Sequence, residues 1–225
     1  MTASKFIIAS LLCVLSPFIS IGQSQRPLEI QLRSGIAFGA YGTETAITNG
    51  SEKWTDQSGA ATSILPIDLR WEMNERWAFG VHTRFGSYLY GSEESNYKDR
   101  SNRIRVFGLA AEYNLVSKEK FRWYAGLGFG ISNLRIQQTR IDLPPLSTKE
   151  EYFLRGGNVR LQTGLIRWFG DSPLGFHLQM GFDRHRYTVQ EIKLDGSTVN
   201  TADFNGTLTA RGIDFQIGLV ARIKR

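Results

Sequence analysis

The chain has 225 residues, 23 of them glycine, and carries 27 Lys and Arg against 21 Asp and Glu for a net charge of +6. That length suits one domain. Its only cysteine, Cys13, lies in the first segment, which excludes disulfides and thiolate metal sites from the remainder. Nothing downstream approaches the ~18 consecutive apolar residues of a membrane helix. Lys5 followed by the apolar run Phe6–Leu15, with Ser20 and Gly22 at the −3 and −1 positions, predicts a signal peptide over 1–22 cleaved before Gln23. Residues 23–225 then form the mature domain.

Eight segments alternate with period two, so each has an apolar face and a polar one. The first sets Ile30, Leu32, Ile36 and Phe38 against Glu29, Gln31 and Arg33. The second sets Leu65, Ile67, Leu69, Trp71 and Met73 against Asp68, Arg70 and Glu72; the third, Trp77, Phe79, Val81 and Phe85 against His82 and Arg84. The fourth sets Phe107, Leu109, Tyr113 and Leu115 against Glu112, and the fifth Trp123, Leu127, Phe129 and Ile131 against Arg122 and three glycines. In the sixth, Val159, Leu161, Leu165 and Phe169 share a face with Arg167 and oppose Arg160. The seventh opposes Leu178, Met180 and Phe182 to His177, Gln179 and Asp183. The last opposes Ile213, Phe215, Ile217, Leu219 and Ile223 to Asp214, Gln216 and Arg222.

The links alternate too. Short ones fall near Asn74–Arg76, Val116–Lys120 and Gly170–Pro173; long polar ones cover roughly Thr43–Thr62, Gly91–Asn102, Gln138–Gly157 and Gln190–Gly206. All long links therefore lie on one side of an up-and-down sheet. The apolar faces run for about 9–11 residues, enough for a tilted strand to cross a hydrocarbon core. Trp71, Trp77, Tyr113, Trp123 and Phe169 gather at the short-link end, as an interfacial girdle would. These features predict an all-β fold: an eight-stranded antiparallel up-and-down transmembrane β-barrel. The alternative is the same barrel turned inside out, a soluble lipocalin-like fold.

On this topology, and on the closing stretch Gly212–Ile223, the chain resembles the small outer-membrane β-barrel families. The nearest in kind are the OmpA/OmpX-like eight-stranded barrels common in Bacteroidetes-type bacteria. The resemblance spans Gln23 to Arg225 and implies a Gram-negative outer-membrane location, with the barrel assembly machinery as a partner during insertion. Such families usually close on an aromatic residue; this chain closes on Ile223-Lys224-Arg225.

A barrel of eight strands has a lumen that side chains fill. The inward parity supplies six acids and six arginines: Glu29, Asp68, Glu72, Glu112, Asp183 and Asp214 with Arg33, Arg70, Arg84, Arg122, Arg160 and Arg222. Buried charges persist when paired and hydrogen-bonded, so these twelve are expected to form an interlocked network that plugs the lumen. A proton or ion path, or a narrow channel, is the alternative. His82, His177 and His185 share the inward parity. His185 with Asp183 could serve a lipid-modifying barrel enzyme, but no serine stands at a telling spacing and no metal-ligand spacing occurs. The expectation is a non-enzymatic protein without cofactor.

The long links hold 7 basic and 12 acidic residues, which moves the basic excess into the barrel and its rim. Arg103, Arg105, Arg135, Arg184, Arg186 and Arg211 lie just past the apolar faces on the long-link side, all with outward parity. Arginines at that height face lipopolysaccharide phosphates, which a planar guanidinium binds with two donors. Ordinary interfacial snorkelling is the plainer reading. Trp54, Tyr97 and Tyr152-Phe153 mark contact points for an extracellular ligand on the long links. Asn133–Ile141 and Glu151–Arg160 are read as extending strands five and six as a hairpin above the membrane, with Pro144-Pro145 at its tip. Nothing in the charge pattern suits nucleic acid.

Overall fold

The computed structural model describes residues 29–49, 52–90, 97–143, 146–199 and 204–224. The predicted signal peptide and the Pro144-Pro145 tip lie outside these residues. Among the described residues nine strands follow one another: β1 (Glu29–Asn49), β2 (Glu52–Glu72), β3 (Trp77–Tyr90), β4 (Tyr97–Lys118), β5 (Phe121–Leu143), β6 (Leu146–Trp168), β7 (Leu174–Leu194), β8 (Ser197–Thr198) and β9 (Phe204–Lys224). The long strands pair antiparallel with their chain neighbours, and β9 pairs with both β7 and β1, closing a ring of eight. The two-residue β8 only folds back on the end of β7. Asp195 and Gly196 turn that corner, both at positive φ (48° and 84°), the geometry a two-residue hairpin turn demands.

The seam between β1 and β9 runs without a register break from Glu29↔Lys224 to Asn49↔Phe204. Both chain ends of the barrel therefore sit on the short-link side. There the Asn74 side chain accepts hydrogen bonds from the backbone N–H groups of Arg76 and Trp77, each 2.8 Å, which holds the β2–β3 turn.

The apolar faces point outward. Phe38 is 58% exposed, Leu109 63% and Phe215 63%, while Arg33 and Arg160 are each 1% exposed inside the ring. A soluble barrel would show the reverse, so the lipocalin-like alternative is excluded. Trp71, Trp123 and Phe169 stand exposed near the short turns, and Trp77 packs edge-on against Tyr113 at 5.0 Å. This outer belt places the barrel in a membrane.

Among the described residues, two of the long links are strand for most of their length, which corrects the sequence reading for the first and agrees with the hairpin expected of strands five and six for the other. The Thr43–Thr62 region is the paired continuation of β1 and β2, with a register unbroken from Ala37↔Ile64 to Asn49↔Glu52. Gln138–Leu143 and Leu146–Gly157 likewise belong to the β5–β6 pair. Above the belt the polarity of the two faces exchanges while the pleat continues. The interior becomes apolar, with Tyr41, Ile64, Tyr88, Ile104, Leu134, Leu154, Tyr187 and Leu208 buried together and Ile136, Tyr152 and Val189 packed against them. The exterior becomes polar, with Arg103, Arg105, Asn133, Arg155, Arg186, Thr188 and Gln190 exposed. The barrel thus has a lower half adapted to lipid and an upper half built like a water-soluble barrel.

Candidate functional site: a lumen plug and an outer arginine collar

All twelve inward charges meet opposite charges, and they do so in three separate tetrads of two acids and two arginines. Nearest the short turns, Arg122 pairs with Glu29 (3.5 Å) and with Glu72, and Arg222 approaches Glu29 at 3.7 Å. Arg222 also lies 4.4 Å over the Trp168 ring. In the middle, Glu112 accepts from Arg33 Nη2 and from Arg70 Nε, both at 2.8 Å, and Asp68 lies 3.4 Å from Arg70. Above, Arg160 grips Asp183 and Asp214, with Nη2 2.8 Å from Asp214 Oδ1; Arg84 reaches the same two carboxylates at 3.3 and 3.2 Å.

Two glutamines join the tiers. Gln31 donates to Glu29 and Glu72 below while its carbonyl accepts from Arg33 above. Gln162 donates to Glu112 (2.9 Å) and accepts from Arg160 Nε (3.1 Å). Each tetrad is neutral in formal charge, so desolvation is offset tier by tier. The long guanidinium of Arg160 needs room across the lumen. Gly181 provides it: a Cβ there would lie 2.1 Å from Arg160 Nη2.

The histidines are buried among these tiers. His177 Nε2 lies 2.6 Å from the Tyr124 hydroxyl, which donates to Gln179. His185 does not meet Asp183. Its Nδ1 lies 3.2 Å from Ser132 Oγ, a contact between β5 and β7 that the sequence reading missed, and the ring stacks on Tyr187 at 5.7 Å. Ser132 is fully buried and also bonds the Tyr187 hydroxyl at 2.7 Å. Asp183 is turned to Arg160, Arg84 and Tyr41 instead. Among the described residues no cluster of three or more His, Cys, Asp or Glu could hold a metal ion.

On the outer wall, Arg103, Arg105, Arg184, Arg186 and Arg211 are exposed and Arg135 half-buried. The register sets like charges directly opposite one another, Arg103 against Arg135 on β4–β5 and Arg184 against Arg211 on β7–β9. Arg155 of β6, in the hairpin expected of strands five and six but not counted in the expected collar, completes the arc over five neighbouring strands of the ring. A groove of about 360 Å³ opens between Arg103, Arg105, Arg135 and Arg155, walled by Asn133, Phe153 and Gln190. Gln190 is an extra residue in β7, a one-residue bulge beside Phe153. Arg135 lies 5.0 Å over the Phe153 ring. Of the expected contact aromatics, Trp54 is 51% exposed on β2, whereas Tyr152 turns inward to the upper core and Phe153 serves the groove.

Glu151 draws Arg135 partly away from the collar, at 2.9 Å, and also accepts from Gln137 at 2.8 Å. The Arg135 hydrogen bond, aided by Gln137 and Lys149, holds the Glu151 carboxyl down at about 2. A depressed carboxyl stabilises the fold above its ordinary value near 4.5 and loses that contribution as pH falls toward 2. A carboxyl-carbon NMR titration of the whole barrel in micelles should therefore place the Glu151 midpoint well under 4. A midpoint at the ordinary glutamate value would mean that this cluster does not form.

No protein-family model matches the chain, and no curated protein matches it in sequence. Its three-dimensional form has clear counterparts. The outer membrane protein OprG of Pseudomonas aeruginosa superposes with a TM-score of 0.56 at 13% identity, covering 90% of this chain and 99% of that one. The outer membrane protease OmpT of Escherichia coli gives 0.51 at 9% identity, covering 88% and 97%. The chain has the fold of an outer-membrane β-barrel. At such identities the likeness carries the architecture and not a role. With the lipid-facing belt it sets the barrel in the outer membrane, where short turns lie on the periplasmic side and long connections on the extracellular side.

Proposed function

We propose that this barrel is a non-enzymatic protein of the outer membrane, its lumen closed by the three tetrads and its collar holding lipopolysaccharide phosphates. The observation that carries this reading is the opposition of Arg103 to Arg135 and of Arg184 to Arg211. Like charges directly across a strand pair destabilise a sheet. A phosphate between them converts repulsion into charge-assisted hydrogen bonds. Among the described residues, Arg103, Arg105, Arg155 and Arg184 have no acidic side chain within ion-pair distance. Snorkelling alone would not require such pairs to face each other.

Replacing Arg105, Arg135 and Arg184 together by Gln should lower co-purifying lipopolysaccharide about tenfold, the equivalent of one charged hydrogen bond. Unchanged co-purification from outer membranes would count against the collar. A barrel hydrolase is the second reading, favoured by the Ser132–His185 contact. Full burial of Ser132, its shared bond to Tyr187 and the missing carboxylate on His185 weigh against it. A lipid-hydrolysis assay separates the two, and single-channel conductance tests the plug.

A further inference from the structure

The collar is one half of a longer feature on β7 and β9. Below Arg184 and Arg211 the lipid-facing wall is hollowed into an apolar groove of about 640 Å³, bordered by Phe38, Trp123, Leu178, Met180, Phe215 and Ile217. Its depth has a local cause. Thr163 on β6 is a short side chain set among long ones, and it is drawn back against the wall. Its hydroxyl donates to the Tyr124 carbonyl (2.8 Å) and accepts from Trp123 Nε1 (3.0 Å). Both polar groups are thereby satisfied, and the hollow presents almost nothing but carbon to the bilayer.

The groove and the charges are in line. Met180 lies four residues from Arg184 along β7, and Phe215 four residues from Arg211 along β9. Four residues span about 13 Å of strand, or about 10 Å of depth at the tilt of a closed barrel. From there the groove descends diagonally across β6 to Trp123, near the short-turn end of β5. A cationic pair above a hydrocarbon slot is the outline of a lipid with a phosphate head and a chain pointing inward.

We propose that β7 and β9 form a head-and-tail site for one phosphomonoester lipid of the outer leaflet. Its phosphate bridges Arg184 and Arg211, and one of its acyl chains lies in the groove past Met180 and Leu178 to Trp123. The proposal rests on the phosphate-binding reading of the collar and adds to it a seat for the chain. Arg211 is also shared with Glu44 at 3.4 Å, so Arg184 supplies the freer guanidinium. A groove of this volume is within the size range of small-molecule sites.

The test loads the full barrel from phosphatidylcholine vesicles doped with phosphatidic acid, and separately with glycerol phosphate, and reads bound species by native mass spectrometry. The wild type should retain phosphatidic acid about tenfold over phosphatidylcholine, and over glycerol phosphate by more. R184Q/R211Q should lose that preference. Thr163→Leu and, independently, Met180→Trp should fill the groove and lose it too, while the unboiled protein keeps its fast electrophoretic band. If the groove variants retain phosphatidic acid and R184Q/R211Q does not, the phosphate reading stands and the chain site is overturned. If R184Q/R211Q also retains it, the collar reading itself fails. Equal retention of glycerol phosphate would overturn the lipid in favour of a free anion.

Discussion

Replacing Glu112 by alanine should destabilise the barrel by about 3–5 kcal/mol, the cost of stripping a buried ion pair of one partner. Glu112 is fully buried and accepts from Arg33 through two nitrogens, from Arg70 Nε and from Gln162. Its removal leaves two guanidiniums in the middle tier with only Asp68 nearby, and it cuts the Gln162 link to the tier above. The midpoint of urea unfolding from lipid vesicles is the direct measure. Glu112→Gln should fall between alanine and wild type, since it keeps the shape and some hydrogen bonding but leaves a net charge. The triple replacement of Arg33, Arg70 and Glu112 by Met, Met and Leu should be milder than Glu112→Ala, because it leaves only Asp68 to neutralise. A shift of under about 1 kcal/mol for alanine would mean that water reaches this tier and that the lumen is not closed there.

Gly218→Val should prevent the ring from closing. Gly218 stands opposite Gly35 across the β1–β9 seam, the last pairing the chain can make. A Cβ at Gly218 would lie 2.1 Å from the Ser34 carbonyl oxygen and 2.7 Å from Gly35 Cα. These are backbone atoms that no rotamer change can move, so the cost exceeds the ~1–3 kcal/mol of ordinary overpacking. Gly42→Val is the matched control on the same seam. A Cβ there meets only the Arg211 carbonyl, at 4.0 Å. Valine at 42 should leave the fast unboiled band intact, and valine at 218 should abolish it. Equal bands for both would show that the seam can open by an ångström without penalty.

The membrane half of this fold was legible because a period of two, sustained over 9–11 residues, reports which face each side chain takes. Arg33, Glu112 and Arg160 could be assigned inward on that ground alone. Which acid meets which arginine could not, because partners such as Arg84 and Asp214 lie on β3 and β9, across the lumen, at a height set by barrel stagger. Gln31 shows the inward parity, but nothing in the sequence marks it or Gln162 as a joint between tiers.

Outside the β5–β6 hairpin, the upper half is hidden in the sequence for a different reason. In β5 the apolar positions run Leu127, Phe129, Ile131 and then change parity to Leu134 and Ile136. In β9, read upward, they change from Phe215 and Ile213 to Ala210 and Leu208. A change of parity looks like the end of a strand. Here it marks a change of surroundings, from lipid outside to water outside, with the pleat uninterrupted. Arg155 is absent from the collar expected from the sequence, although the hairpin expected of strands five and six contains it.

One continuous ladder therefore serves two solvents, and insertion has a direction built into it. Tyr41, Tyr88, Leu134 and Leu154 can leave water together only after their half of each strand has emerged beyond the bilayer. Once they have condensed there, retreat would unpack them. It would also draw Arg103, Arg105, Arg155 and Arg184 through hydrocarbon at roughly 2–4 kcal/mol each. The upper barrel is a catch that engages on arrival, fixing from outside the height at which the aromatic girdle meets the inner surface.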